Sequence, residues 1–360
     1  MSLGPPHLIG SLGTMLADFP VPAQAASRVA SSRDEVRAVL DGTDDRLLVI
    51  SGPCSVHDPA AALDYAARLS RLGLAEDLLL VMRVYLEKPR TMTGWTGLLN
   101  DPDMDGSHNV LSGLRAARQL LLGIAELGVP AGCEWLSPAV SHFLGDLVAW
   151  GAVGARTVES QVHRQFASGL PMPVGFKNAT DGDIQVAAEA CVAAASGHTY
   201  LGVTQTGTLG VVTSGGNPDC HVVLRGGRAG PNFEQPYVAK ALDMLGAIGL
   251  PRRVVIDASH GNSGKDHTRQ PAVAAAIASQ VAAGEREIAG VMLESFLIAG
   301  RQEPGDLSRL VYGQSVTDPC MDFATTVHVL QNLAEAVHRR RKASATRAKD
   351  VITDARSASP

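Results

Sequence analysis

RLLVISGPC (Arg46–Cys54), AAALDYAARLSRLG (Ala60–Gly73) and DLLLVMRVY (Asp77–Tyr85) follow one another along the chain. The first and third are short, almost continuously apolar runs, the mark of strands buried on both faces, as in parallel sheets. The middle stretch carries a helical pattern. Strand, helix, strand in that order argues for an α/β fold with a parallel sheet. Seven further strand-like runs extend the series: VPAGCEWL (129–136), VGARTV (153–158), PVGFKNA (173–179), TYLGVT (199–204), CHVVLRGG (220–227), RVVIDASH (253–260) and AGVMLES (289–295). The total of nine exceeds an eightfold barrel by one. TYLGVT leads into TQTGTLGVVTSGGNPD, a Gly/Thr-rich stretch without helical spacing. We read both as a β insertion before the sixth barrel strand. Eight βα units remain, which predicts a (β/α)8 TIM barrel; a doubly wound open sheet is the structural alternative. Residues 1–45 read as an N-terminal arm with some helix, 46–340 as the catalytic barrel, and 341–360 as a polar, frayed tail.

The bulk composition narrows the function. The 360 residues are 45% apolar and 19% charged, an ordinary globular balance with ample material for a large core. The formal net charge of −5 gives no overall basic field for nucleic acid. No apolar run approaches the roughly 20 residues of a membrane span, and the N-terminus lacks a signal-peptide pattern. Cys54, Cys133, Cys191, Cys220 and Cys320 are odd in number and never form a CxxC pair. That spacing argues against a disulfide framework and for a reducing cytoplasm.

The polar residues fall in register. In a (β/α)8 barrel the C-terminal strand ends and the loops after them build the active site. Here the strand ends deliver Cys54, Arg83, Lys88, Glu134, Arg156, Lys177, Arg225, Asp257, His260 and Glu294, and Asp318 follows in YGQSVTDPC. One charged strand end is usually a solvated exit. Buried charges in register cost several kcal/mol each unless they are paired or ligated, so one shared polar pocket is the economical reading. Six cations, Arg83, Lys88, Arg90, Arg156, Lys177 and Arg225, suit phosphate and carboxylate groups. Their number suggests two phosphorylated substrates. Cys54, His260, Glu294 and Asp318 form a plausible divalent transition-metal set.

Taken together, GPCSVHDP, MRVYLEKPRT, GWTGLLNDPDMD, GARTVESQVHRQFASGLPMPVGFKN, CHVVLRGG, IDASHGNS, GVMLES and YGQSVTDPC closely resemble the class I 3-deoxy-D-arabino-heptulosonate 7-phosphate (DAHP) synthases of enteric bacteria and yeast. The likeness runs from about Asp44 to about Arg340. It implies a metal-dependent (β/α)8 barrel that condenses phosphoenolpyruvate with erythrose 4-phosphate and releases phosphate, the first step of the shikimate pathway. It implies that Cys54, His260, Glu294 and Asp318 hold the metal: Mn²⁺, Co²⁺, Zn²⁺ or Fe²⁺. Arg83, Arg156, Lys177 and Arg225, with Glu134 nearby, would hold phosphoenolpyruvate. Lys88, Pro89, Arg90 and Thr91 would hold erythrose 4-phosphate, with Arg90 on its phosphate. Lys88, Cys54 and His260 are the candidate catalytic residues, Lys88 donating a proton to the forming alkoxide. The expected assembly is a homodimer or homotetramer, with no nucleic-acid or membrane partner.

Three positions depart from the family. Thr96 stands where GWKG has lysine, Phe296 where ESH has histidine, and Gln205–Thr208 read QTGT where the family has KWGH. Ser137 replaces an aspartate in the region the family uses to bind an inhibitory aromatic amino acid, and the arm is shorter. These changes open the reading of a feedback-insensitive paralogue serving a specialised pathway. They also keep two alternatives in play: condensation with another aldose phosphate, and a non-catalytic barrel that acts by binding. His57 and His163 lie in family motifs and read as structural, with help around the phosphates the alternative for His163. Arg339–Lys342 (RRRK) reads as a solvated helix end.

Overall fold

The computed structural model describes residues 12–204 and 206–357, with side chains through Ser344. Residues 1–11 of the arm, Gln205 of the insertion and 358–360 of the tail lie outside the described residues. The strands of the barrel and its insertion are β1 (Leu47–Gly52), β2 (Leu78–Arg83), β3 (Ala131–Glu134), β4 (Trp150–Val153), β5 (Val174–Lys177), β6 (Thr199–Val203), β7 (Leu209–Thr213), β8 (His221–Leu224), β9 (Val254–Asp257) and β10 (Ile288–Glu294), and a short parallel pair, Ile298–Arg301 with Gln314–Ser315, follows them. Around the barrel they neighbour as β1-β2-β3-β4-β5-β8-β9-β10, and β10 pairs back onto β1 in parallel, Gly52 beside Glu294. Closure rules out the open sheet. The antiparallel pair β6–β7 stands apart as the insertion before the sixth barrel strand.

Around the strands run α1 (Leu12–Asp18), α2 (Ala23–Asp41), α3 (Pro59–Leu69), α4 (Val110–Glu126), α5 (Ser141–Leu144), α6 (Gln161–Ala167), α7 (Gln185–Ala195), α8 (Gln235–Ala247), α9 (His260–Ser263), α10 (Gln270–Ala282) and α11 (Phe323–Ser357). Local chemistry sets their starts. Asp58 caps α3 by accepting from the Ala60 and Ala61 N–H groups, and Pro59 fills a first-turn position where an N–H has no partner.

Alternation along the strands divides the core in two. Leu47 and Val49 join the layer between strands and helices, whereas Leu48 and Ile50 face a second cluster with Leu79, Val81, Trp150, Val223, Val255 and Met292. Val36, Val39 and Leu40 of α2 belong to that second cluster. The arm therefore seals the N-terminal mouth of the barrel with a helix.

Three expectations need correction. The fourth strand is Trp150–Val153, not VGARTV, so Arg156 sits in the turn that follows. Small residues let WGAV pack at the crowded lumen, and the apolar run from Ala149 hid the true boundary. The backbone of 341–357 continues α11 as helix where a frayed tail was expected. Ala, Arg and Lys are good helix formers. Nor is RRRK a solvated end throughout: Arg340 is 4% exposed, and Arg341 bridges Asp45 and Asp77.

Candidate active site

The alternation that fills the lumen also aims the charges. Counting in twos from Val81 reaches Arg83, from Val223 Arg225, from Val255 Asp257 and from Met292 Glu294. Apolar residues occupy the inward register until the strands near their C-terminal ends, where polar groups take over. There they surround a cavity of about 360 Å³ lined by Cys54, Arg83, Lys88, Pro89, Arg90, Thr91, Glu134, Arg156, Lys177, Arg225, His260 and Asp318. Glu294 lies behind this lining, 3.0 Å from Arg83 and 3.6 Å from the His260 Nε2. The structure thus gathers every residue expected at the site.

At one side, Cys54, Glu294 and Asp318 each offer a donor atom, all within 4.8 Å of one another. Lys88 Nζ donates to Cys54 Sγ at 2.9 Å and to Asp318 Oδ2 at 3.0 Å. Burial pushes the Cys54 thiol up, and the Glu294 carboxylate adds to the effect. Burial also pushes Asp318 up, but the Lys88 and Lys265 ammonium groups outweigh it and hold that carboxyl far below its usual range. For Glu294, burial is likewise overcome, chiefly by His260 and Arg83.

His260 reaches the cluster through a fixed ring. Its Nδ1 lies 2.8 Å from Asp257 Oδ2 and 2.7 Å from Ser259 Oγ. A carboxylate only accepts, so Nδ1 carries a proton toward Asp257, and in the neutral ring Nε2 then keeps its lone pair. The His260 backbone has φ +50°, an uncommon conformation for a non-glycine residue. Thiol, imidazole and two carboxylates with a carboxylate-oriented histidine fit a divalent transition metal.

The cations differ in how much of their donor capacity remains. Arg83 is 1% exposed and commits four of its five N–H donors to Glu294, the Pro53 and Cys54 carbonyls and Met292 Sδ, with its guanidinium 3.6 Å over the Tyr85 ring. It is a counter-charge to Glu294. Lys177 pairs with Asp257 at 3.2 Å. Arg90 spends its Nε on the Trp95 carbonyl at 2.7 Å, and Arg225 donates one Nη1 bond to the Gly226 carbonyl at 3.2 Å. Burial lowers the Arg225 pKa, and Arg156 opposes its charge further. Two cations crowded at a cavity wall favour an anion between them.

Glu87, the carboxylate in the charged stretch after β2, is a brace. It accepts the Ser137 N–H at 3.2 Å, and burial pushes its pKa up. Glu134 lies against Gly154, where a Cβ would stand 2.1 Å from Glu134 Oε1. Asp257, Lys265 and Thr180 join the site without an assigned role from sequence. Asp257 had one usable signal, its place three residues before His260. Of the departures, Thr96 serves through its carbonyl, which accepts the Lys88 N–H at 2.9 Å. Phe296 is fully buried edge-on to His57, whose buried Nδ1 has no hydrogen-bond partner among the described residues.

Fold and site together define a (β/α)8 barrel with a cation-lined pocket and a cluster competent to hold a metal. The model of the DAHP synthetase I family matches residues 19–331. A phospho-2-dehydro-3-deoxyheptonate aldolase of Corynebacterium glutamicum is 49% identical over 347 residues, 94% of each chain. A Phe-sensitive aldolase of that name from Escherichia coli K12 is 50% identical over 329 residues, 91% of this chain and 94% of its own. The solved structure of the Francisella tularensis SCHU S4 enzyme superimposes with a TM-score of 0.92 at 44% identity, covering 94% of this chain and 99% of that one. The chain belongs to the DAHP synthetase I family. Among the described residues, no helix is long and apolar enough to cross a membrane.

Proposed function

We infer that this chain is a 3-deoxy-7-phosphoheptulonate synthase, a transferase that joins phosphoenolpyruvate, D-erythrose 4-phosphate and water into 3-deoxy-D-arabino-heptulosonate 7-phosphate and phosphate. The observation that carries the reading is one cavity lined by Arg156, Lys177, Arg225 and Arg90, with Lys88 between Cys54 and Asp318. Arg83, Arg156, Lys177 and Arg225, with Glu134 nearby, bind the phosphate and carboxylate of phosphoenolpyruvate, and the cations stabilise phosphate as its C–O bond breaks. Arg90 and Thr91 take the aldose phosphate, which brings the aldehyde over the Cys54–Asp318 cluster. Lys88 keeps its proton against burial because Cys54 and Asp318 face it, and it donates that proton to the alkoxide formed when C3 attacks. Arg83 holds Glu294 ionised, and Asp257 fixes the His260 ring.

Cys54, His260, Glu294 and Asp318 would hold the divalent metal, which supplies Lewis-acid polarisation of the aldehyde oxygen. A thiolate in the set favours Mn²⁺, Co²⁺, Zn²⁺ or Fe²⁺ over Mg²⁺ or Ca²⁺. Direct titration of the stripped protein tests the set, since Cys54→Ser should lose most metal affinity. Unchanged affinity would remove Cys54 from it. Phosphate release from phosphoenolpyruvate with a panel of four- and five-carbon aldose phosphates tests the reaction. Preference for a five-carbon substrate would select the alternative condensation, and no release with any would leave the binding-barrel reading. Leu201, Leu209 and Val211 stand more than 70% exposed on one face of β6–β7. A homodimer or homotetramer in which another copy covers that face is the assembly we propose, in a cytoplasm that keeps the five thiols reduced.

A further inference from the structure

At the opposite, N-terminal end of the barrel, a second group of cations surrounds a recess. Arg253 precedes β9, Arg286 precedes β10, and Arg340 comes from α11. With Asp44, Asp45 and Arg46 they line a space of about 40 Å³, on the order of three waters. The carboxylates there are already bonded to other arginines. Asp44 is taken by Arg46 at 2.6 Å, and both oxygens of Asp45 are taken by Arg341.

That leaves three guanidinium groups with no ion pair among the described residues. Arg340, 4% exposed, donates only to the Asp45 and Glu285 backbone carbonyls. Arg253 donates to the Arg286 carbonyl, and Arg286 to Ser344 Oγ at 2.8 Å. Burial lowers the Arg340 pKa, and the neighbouring Arg286, Arg341 and Arg253 charges lower it further against the pull of Asp45. A buried guanidinium with spare donors and like-charged neighbours is costly unless an anion completes the group.

We propose that Arg253, Arg286 and Arg340 form an oxyanion site for a phosphate group at the closed end of the barrel, remote from the active site. Three forks of donors converge on it, and the guanidinium plane matches phosphate geometry. The recess is too small for a sugar, so the ligand is inorganic phosphate or the exposed end of a phosphate monoester. Its binding ties α11 to the β9 and β10 starts, so it stabilises the fold.

The test is titration of the full chain with inorganic phosphate, and separately with glycerol 1-phosphate, at constant ionic strength. Calorimetry and the melting temperature are the readouts. Arg156→Gln weakens phosphate binding at the active site, and Arg286→Gln removes an exposed member of the new site. One binding event should survive Arg156→Gln with its rise in melting temperature. It should weaken at least tenfold in Arg286→Gln, whose melting in chloride and kcat stay unchanged, and recover in Arg286→Lys. Response to phosphate alone assigns the free ion, and response to both assigns a phosphate monoester as well. Loss of all phosphate binding with Arg156→Gln, or equal binding in the wild type and Arg286→Gln, overturns the proposal.

Discussion

Lys88 is where binding and chemistry meet. Its ammonium touches both Cys54 and Asp318, so it is held where a proton is needed and prevented from swinging away. Replacing it with methionine keeps the length of the side chain and removes the donor. General-acid contributions run from about 10²- to 10⁴-fold, and we expect kcat to fall by that range in Lys88→Met. A loss under tenfold would assign the proton transfer to another group. Arg90 makes a separate prediction. Arg90→Ala should raise KM for erythrose 4-phosphate about tenfold to over a hundredfold, the worth of one charge-assisted contact at roughly 1.5–3 kcal/mol. KM for phosphoenolpyruvate should hold, and a matching rise in both would show that the two anions share this arginine. At this scale the sequence reveals which residues are reactive, because charge at a buried strand end has few explanations. It does not reveal which cations are spent. Arg83 and Arg156 look alike in sequence, but the partners that occupy four of the five Arg83 donors come from Pro53, Cys54, Met292 and Glu294, which only barrel closure brings near.

Among the elements, strand order and the insertion were readable because apolar runs and turn residues are local signals. The limits of β4 were not, because small residues in WGAV and the apolar run through Val153 carry no boundary. The same strand sets an acid-sensitive contact. Trp150 Nε1 donates to His221 Nε2 at 3.1 Å, and His221 Nδ1 faces the Asp219 carbonyl at 3.1 Å. The neutral ring satisfies both; a protonated ring would turn an N–H toward the indole N–H. Burial accordingly lowers the His221 pKa from 6.5 to about 4. The folded pKa lies below the unfolded one, so this contribution is complete above pH 6.5 and is lost as pH falls toward 4. Between pH 7 and pH 5 the loss is about 2 kcal/mol. Unfolding free energies from denaturant titrations at the two pH values should therefore differ more in the wild type than in His221→Gln, by about that amount. Equal acid sensitivity in both proteins would mean the ring already carries its proton in the fold.

Across the whole molecule, α2 closes one end of the barrel while the substrates meet at the other, and the effector question belongs to the flank between them. A cavity of about 680 Å³ opens there between α5, α6 and the β6–β7 hairpin, lined by Pro138, His142, Asp146, Phe166, Tyr200 and Val212 among others. Its shape and apolar wall would admit an aromatic side chain. An amino acid also brings an ammonium, and leaving that charge unpaired in a buried site costs several kcal/mol. Ser137, beside this cavity, stands where the resembled enzymes have aspartate. Among the described residues the one carboxylate lining the cavity is Asp146, gripped by Arg118 through both oxygens at 2.9 Å. An effector inhibits only as far as it prefers one state of the enzyme, and a ligand that binds poorly has little preference to supply. Although the Escherichia coli relative is named Phe-sensitive, we expect this chain to lose little activity to millimolar Phe, Tyr or Trp. The measurement is the initial rate at subsaturating substrates with each amino acid added alone. Half-inhibition in the tens of micromolar by any one of them would mean that a carboxylate is freed on binding, with Asp146 released from Arg118 the first place to look.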